Sequence, residues 1–192
     1  MENILLIGGG GHCKSVIDII EKEGQYQIAG IIDQAELYNT KILGYKIIGN
    51  DADLFELSKQ YKYALITVGQ VFSPKIRIKL FTLLKEIGFC LPTIVSPRAY
   101  VSKYASIEEG SIIMHDAIIN ASASIGANCI INTKAIIEHD AVIHQHCHIS
   151  TGAIVNGATI IHQGAFLGSN AVTKEGIIIK ENSFIKAGSV AK

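Results

Sequence analysis

Apolar residues recur along this chain with two different periods, and the change falls near Val95. Before it, short apolar runs alternate with amphipathic stretches. Asn3 to Gly8 (NILLIG) predicts a strand, and a glycine cluster then leads into a helical pattern from about His12 to Glu23. Further strands are expected at Gln27 to Asp33 and Tyr45 to Gly49. Asp51 or Asp53 is expected to cap a helix reaching about Tyr61. Tyr63 to Gly69 predicts another strand, and Pro74 to Gly88 a helix with proline near its first turn. Strands alternating with helices imply βαβ units and a small parallel sheet, a Rossmann-like α/β domain over residues 1–92.

From Val95 to Val190 the chain divides into sixteen consecutive hexads. The first position is Val, Ile or Leu in all but one, Thr173, and the fifth is Ala, Ser, Thr or Cys in all but one, Ile177. A helix needs a period of about 3.6, which six does not fit. The pattern predicts a solenoid with short strands as flat sides. The aliphatic and the small residue point inward, and positions two to four form an outward corner rich in Gly, Asn, Asp and His. The repeat resembles the hexapeptide-repeat family, which implies a left-handed parallel β-helix of three hexads per coil, here over residues 93–192. Handedness comes from that resemblance, since parallel crossovers are ordinarily right-handed.

Composition narrows the function. Apolar residues make up 48% and charged residues 18%, enough for a sizeable core and against disorder. Lys plus Arg and Asp plus Glu balance at 17 each, against a general nucleic-acid or anionic-membrane binder. The start, MENILLIGGGG, lacks the basic region and apolar length of a signal peptide, and no stretch is long enough to span a membrane. Four irregularly spaced cysteines then fit reduced thiols and a cytoplasmic protein.

Eighteen residues per coil place residue n about 4.8 Å beneath n+18. Four of the seven histidines fall in Ala135 to Ala153, and the register separates them. His139 is at a corner, and one coil on lies Gly157, whose missing side chain leaves its backbone N–H approachable. A base beside an exposed amide suits acyl transfer: imidazole removes the nucleophile's proton and the N–H stabilises charge on the thioester oxygen. His146 is expected to be solvated at an outward corner. His144 should stack beneath His162, at a subunit contact or an adventitious metal site. His148 lies half a coil from His139, so the two would meet only across a subunit interface; otherwise His148 is a half-buried polar residue. Cys129 and Cys147 should be stacked core thiols.

His139 and His144 have the spacing of two zinc ligands in γ-class carbonic anhydrases. The position of that family's third ligand is Lys103 here, so no metal is expected. In Leu5 to Ile20 the glycines only partly match a dinucleotide fingerprint, with Cys13 where the last glycine belongs. Gly9, Gly10 and Gly11 would still let a phosphate approach the amides of a helix start, and Asp33 could hold a ribose or sugar hydroxyl.

Together, GGGGH (Gly8 to His12), IID (Ile31 to Asp33), NTKAIIEHD (Asn132 to Asp140) and HISTGAIVNG (His148 to Gly157) resemble the NeuD/PglD-type sugar acetyltransferases along essentially the whole chain. That resemblance implies transfer from acetyl-CoA to an amino group of a nucleotide-linked sugar, or to a sialic-acid hydroxyl, by homotrimers with active sites between subunits. It implies His139 as general base, Asp140 as the residue orienting it, His148 and Gly157 at the acetyl-CoA thioester, and Asn132 near the acceptor. His12 and Asp33 would serve the nucleotide-sugar end. The sequence departs from the family at Cys13, which would crowd the phosphate turn. It departs also at GQVFSPK, where relatives often carry an asparagine pair, and at the C-terminus, where many continue over coenzyme A. The expectation is direct acetyl transfer to a nucleotide-linked amino sugar, with sialic-acid O-acetylation second. A γ-carbonic-anhydrase-like metalloenzyme and a non-catalytic sugar-nucleotide-binding trimer are the remaining alternatives.

Overall fold

A computed structural model gives the structure of residues 1–192, which divide into two compact units. The first comprises Met1–Gly69 and Ile76–Pro92, the second Gln70–Lys75 and Thr93–Lys192. No helix is long and apolar enough to cross a membrane.

In the first unit the chain forms β1 (Glu2–Ile7), α1 (Gly11–Glu23), β2 (Tyr26–Ile32), β3 (Lys41–Ile42), β4 (Tyr45–Gly49), α2 (Leu54–Ser58), β5 (Tyr63–Ile66) and α3 (Lys75–Ile87). The sheet order is β3-β4-β2-β1-β5, parallel except for β3, a short hairpin strand the apolar pattern did not signal. Ile4 to Ile7 are all buried, as a strand covered on both faces requires. α1 buries Cys13, Val16, Ile17, Ile19 and Ile20 along one stripe and ends at Gly24, whose φ of 71° lets its N–H close on the Ile20 carbonyl. The chain runs from β1 outward through β2 to β4, then returns to the other side of β1 with β5. That reversal leaves a crevice at the carboxyl ends of β1 and β5. The expected cap at Asp51 or Asp53 is instead Asn50, whose side chain accepts from Ala52 N (2.9 Å) while Asp53 accepts from Asn50 N (2.9 Å). Only a 3-10 turn and the five residues of α2 follow, a shorter helix than the pattern implied.

The second unit is a parallel β-helix of hexapeptide repeats. Seventeen two-residue strands, Ile94–Val95 to Val190–Ala191, form three parallel sheets of six, six and five strands. Pairing is eighteen residues apart: Ile118 with Ile136, Ile136 with Ile154, Ile160 with Ile178. Aliphatic first positions and small fifth positions form one continuous core, from Ile113 and Ala117 to Ala171 and Ile179. Cys129 and Cys147 lie in it as free buried thiols. Each corner turns on its fourth position. From Gly110 to Gly188 every sixth residue has positive φ, Asp116, Asn128, Lys134, Asp140, His146 and Ala158 among them. From Asn128 on, most of these residues donate their N–H to the third-position carbonyl one coil below, as Asp140 does to Ala121 (3.2 Å) and Ala158 to His139 (3.0 Å).

Residues 70–75, expected with the first half, pack on the helix. The Gln70 amide donates to the His146 carbonyl (3.0 Å), Phe72 stacks on Phe184 (5.7 Å), and Phe184 stacks on Phe166 (5.1 Å). This strap corrects one expectation. His146 is not solvated: it is 5% exposed, and its Nδ1 meets the Asn128 amide at 2.9 Å.

Lysine pays a left-handed backbone cost of about 1–2 kcal/mol that glycine escapes, less the chain entropy glycine adds when unfolded. Exposed Lys134 has a φ of 59°. Lys134→Gly should therefore stabilise the protein by about 0.5–1 kcal/mol, and Lys134→Val destabilise it, as read by thermal unfolding.

Candidate active site

His139 stands at the corner between the strands Ile136–Ile137 and Val142–Ile143. Asp140 follows in the left-handed conformation (φ 60°), which an aspartate tolerates. The turn brings its carboxylate 2.8 Å from His139 Nδ1. A carboxylate only accepts, so Nδ1 carries the proton and Nε2 is left to act as the base. The hydrogen bond that His139 donates to Asp140 raises the His139 pKa above its ordinary value, partly opposed by desolvation and helped by the charges of Asp140, Glu138 and Glu175. Glu138 is itself held by the Asn120 amide (2.8 Å).

The His139 ring lies over Gly157. A Cβ placed there would come within 2.9 Å of Cε1 and 3.0 Å of Nε2, so only glycine admits this ring position. Gly157 is buried, and its N–H donates to no group of the protein. Two other third-position amides are taken by side chains. Thr133 N donates to Asn132 Oδ1 (2.7 Å), and Ala127 N donates to Glu108 Oε2 (3.0 Å). A base with a free ring nitrogen thus stands against an uncommitted backbone donor, the pair that attack on a thioester needs.

The remaining candidates fall elsewhere. Asn132 and His148 meet each other, with Asn132 Nδ2 3.1 Å from His148 Nε2, and not His139. Asn132 is at the preceding corner of the coil and His148 on a strand of a different sheet from the one leading into the His139 corner. Expected at an interface or half-buried, His148 is 6% exposed. Its Nδ1 hydrogen-bonds the Gln70 carbonyl and its ring meets Phe166 edge-on (5.2 Å). A carbonyl at Nδ1 fixes the neutral tautomer with Nε2 accepting from Asn132. Gln70 could not be found from sequence, because nothing local marks a residue 78 positions away as its partner. His144 and His162 stack as the register requires, 5.0 Å apart and nearly parallel. No three His, Cys, Asp or Glu side chains converge as metal ligands would.

In the first unit, Gly8 and Gly9 are sterically obligatory. Gly8 has a φ of 103°, with a built Cβ 2.4 Å from Val68; at Gly9 the Cβ would meet Ile42 and the Asp33 carboxylate. Gly10 and Gly11 border open space, and α1 begins at Gly10 with no side-chain cap, leaving its first amides exposed. Asp33 accepts from Gly9 N (2.5 Å) and Gln34 N (2.7 Å), which fixes it at the crevice. A cavity of about 570 Å³ opens there, lined by Gly8, Asp33, Gln34, Asn50, Val68 and Lys79. His12 is the second residue of α1. Cys13 does not crowd the turn: its side chain is fully buried beneath the helix, where burial raises its pKa.

A small α/β unit with a glycine-rich strand-to-helix turn, joined to a hexapeptide β-helix that carries a histidine–amide pair, defines a hexapeptide acyltransferase. Residues 3–84 match the PglD N-terminal domain. PerB from Caulobacter crescentus, solved with CoA and GDP-perosamine, is 31% identical, with all of this chain covering 89% of that one at a TM-score of 0.93. The acetyltransferase domain of PglB from Neisseria gonorrhoeae is 28% identical over all of this chain and 92% of that one, TM-score 0.92. WeeI from Acinetobacter baumannii shares the fold at 21% identity over all of this chain and 97% of that one, TM-score 0.78. Among curated proteins, none matches in sequence. The chain belongs to the NeuD/PglD-type family of sugar acetyltransferases, and it is an acyltransferase.

Asp140→Asn removes the charge and the strongest cause of the raised His139 pKa. The imidazole should then titrate at lower pH than in the parent protein, as read from its ring protons by NMR. An unchanged midpoint would show that Asp140 does not tune the base.

Proposed function

We propose that this protein transfers the acetyl group of acetyl-CoA directly to an amino group of a nucleotide-linked sugar, with His139 as general base. The carrying observation is the His139 ring, bonded to Asp140 through Nδ1 and lying over Gly157, whose N–H is uncommitted. The neutral amine attacks the thioester carbonyl and a C–N bond forms. The Gly157 N–H takes the growing oxyanion charge, and the amine proton passes to His139 Nε2. The C–S bond then breaks and the proton goes to the departing thiolate. No acyl-enzyme is needed. The relatives support the donor and acceptor classes: PerB was solved with CoA and GDP-perosamine, and the PglB domain with acetyl-CoA. The glycine turn at Gly9 to Gly11 offers amides for the acceptor's phosphates, and Asp33 sits beside the sugar end of that cradle.

A trimer completes the reading. One outer face of the β-helix carries Ile118, Ile136, Ile154 and Val172 in an unbroken aliphatic row, with Tyr100 and Val190 at its ends, 59% and 58% exposed. His139 follows directly on that row, so a neighbouring copy packed there would shield its corner from water and set the active sites at subunit interfaces. In such an assembly a neighbouring chain's Asn132 and His148 are the groups offered to the acceptor and the thioester.

His139→Ala should lower turnover about 10²–10⁴-fold while the protein stays folded; near-parental transfer to an amino-sugar nucleotide would sink the assignment. The base works unprotonated, so kcat/KM should fall as pH drops through the raised His139 pKa, above about 6.5. In Asp140→Asn that acid limb should move to lower pH. Ile154→Lys places a charge in the aliphatic row and should convert a trimer to single chains in light scattering; a parental assembly that is already a single chain removes the trimer.

A further inference from the structure

The one break in the aliphatic first positions, Thr173, lies a single coil from the corner that carries Gly157. Its side chain is 1% exposed and sits where every other repeat places a hydrocarbon. Asn156 N donates to Thr173 Oγ1 (2.9 Å), and the Asn156 side-chain amide donates to the Thr173 carbonyl (2.6 Å). Thr159, fully buried on the other side of Gly157, donates its hydroxyl to the Lys174 carbonyl (3.0 Å). Its only proton is then spent, so in the 3.2 Å contact between the two hydroxyls Thr173 is the donor. The result is a closed chain of buried hydrogen bonds, from Asn156 N–H through Thr173 and Thr159 to the Lys174 carbonyl. It pins the residues on both sides of Gly157.

The same chain shows what happens without such a tether. At the Asn132–Thr133 corner, Asn132 turns its side-chain oxygen onto the next amide (2.7 Å) and consumes it. Asn156 stands at the equivalent position before Gly157, but its side chain is drawn away to Thr173. We infer that Thr173 is a positioning residue for catalysis: its hydroxyl takes the Asn156 N–H, which leaves its carbonyl to hold the Asn156 side chain, and so keeps the Gly157 N–H free and aimed at the thioester oxygen. Ile177, the one large residue at a fifth position, packs against the same core. The two exceptions to the hexad rule are four residues apart, large and polar having exchanged places.

The inference rests on the acyl-transfer reading above. Thr173→Val keeps the shape and removes the hydroxyl, so the Asn156 N–H turns to the residue-173 carbonyl, as Asn132 N does to the Ile149 carbonyl (2.9 Å), and displaces the Asn156 side chain, which can then fold onto the Gly157 amide. With GDP-perosamine as acceptor probe, turnover should fall about 10–100-fold, with KM for acetyl-CoA within about threefold and an unchanged pH limb. Thr173→Ser, which restores the hydroxyl, should recover turnover to within about threefold. If the valine variant does not accumulate as folded protein, Thr159→Val cuts the same network from the other side and should give the same loss. Parental turnover in a folded Thr173→Val or Thr159→Val protein, with His139→Ala inactive alongside, overturns the positioning role and leaves the base intact. A parent protein that transfers acetyl to no amine overturns the reading beneath it.

Discussion

Everything in the second unit depends on one backbone requirement, a residue of positive φ at the fourth place of each hexad. A two-residue strand is too short to hold itself in register. The corner does that instead, because the left-handed residue points its N–H at the coil below. The run from Asp140 to Ala121, Ala158 to His139 and Gly176 to Gly157 is a ladder of such bonds up one edge. Only some of these positions are glycine; the others accept the strain because parallel strands above and below leave no alternative. Asp140 is one of them. The conformation that lets the coil close also carries its carboxylate back to the neighbouring imidazole, so the scaffold's own geometry orients the His139 ring.

The ladder satisfies the fourth-position amide and leaves the third one over. This chain disposes of some leftover donors with side chains: Asn132 takes that of Thr133, and Glu108 that of Ala127. Gly157 is treated differently, and the difference has a cost in the core, where two hydroxyls replace hydrocarbon. Buried polar groups are tolerable when every member has a partner, and here each hydroxyl is bonded on both sides. A uniform aliphatic core would have been simpler to pack. The departure falls beside the corner where the Gly157 amide meets the His139 ring.

The fold was legible because burial in a β-helix is strictly periodic, so the hexad register alone assigned core, corner and stacking partner for about half the chain. It found the His139–Gly157 pair and the His144–His162 stack with no knowledge of side-chain positions. It placed His146 in solvent and did not show what holds His148, both for one reason. Both are buried in part by Gln70, and a strap that returns from 76 residues upstream has no period to read. The glycine turn was half legible. Its glycines were visible, but sequence did not show that Gly8 and Gly9 are required by packing whereas Gly10 and Gly11 face open space. Nor did it show Cys13 turned into the core.

The histidines also show why proximity in sequence says little about chemistry. His148 has both ring nitrogens engaged and a fixed neutral tautomer, so it can orient neighbours but has no free lone pair to take a proton. His146 is held at Nδ1 beneath the strap, and His144 lies flat against a second imidazole. His139 alone combines a carboxylate on one nitrogen, an unengaged second nitrogen and an adjacent free amide. In a single chain its bond to Asp140 is more than half exposed, where water and salt weaken it. Packing another copy on the aliphatic row beside it would lower the local dielectric and strengthen that bond together with the pull of the Gly157 amide. In such an assembly, burial of the row and the strength of the His139–Asp140 bond would be coupled through the same few residues, because the aliphatic face ends where the His139 corner begins.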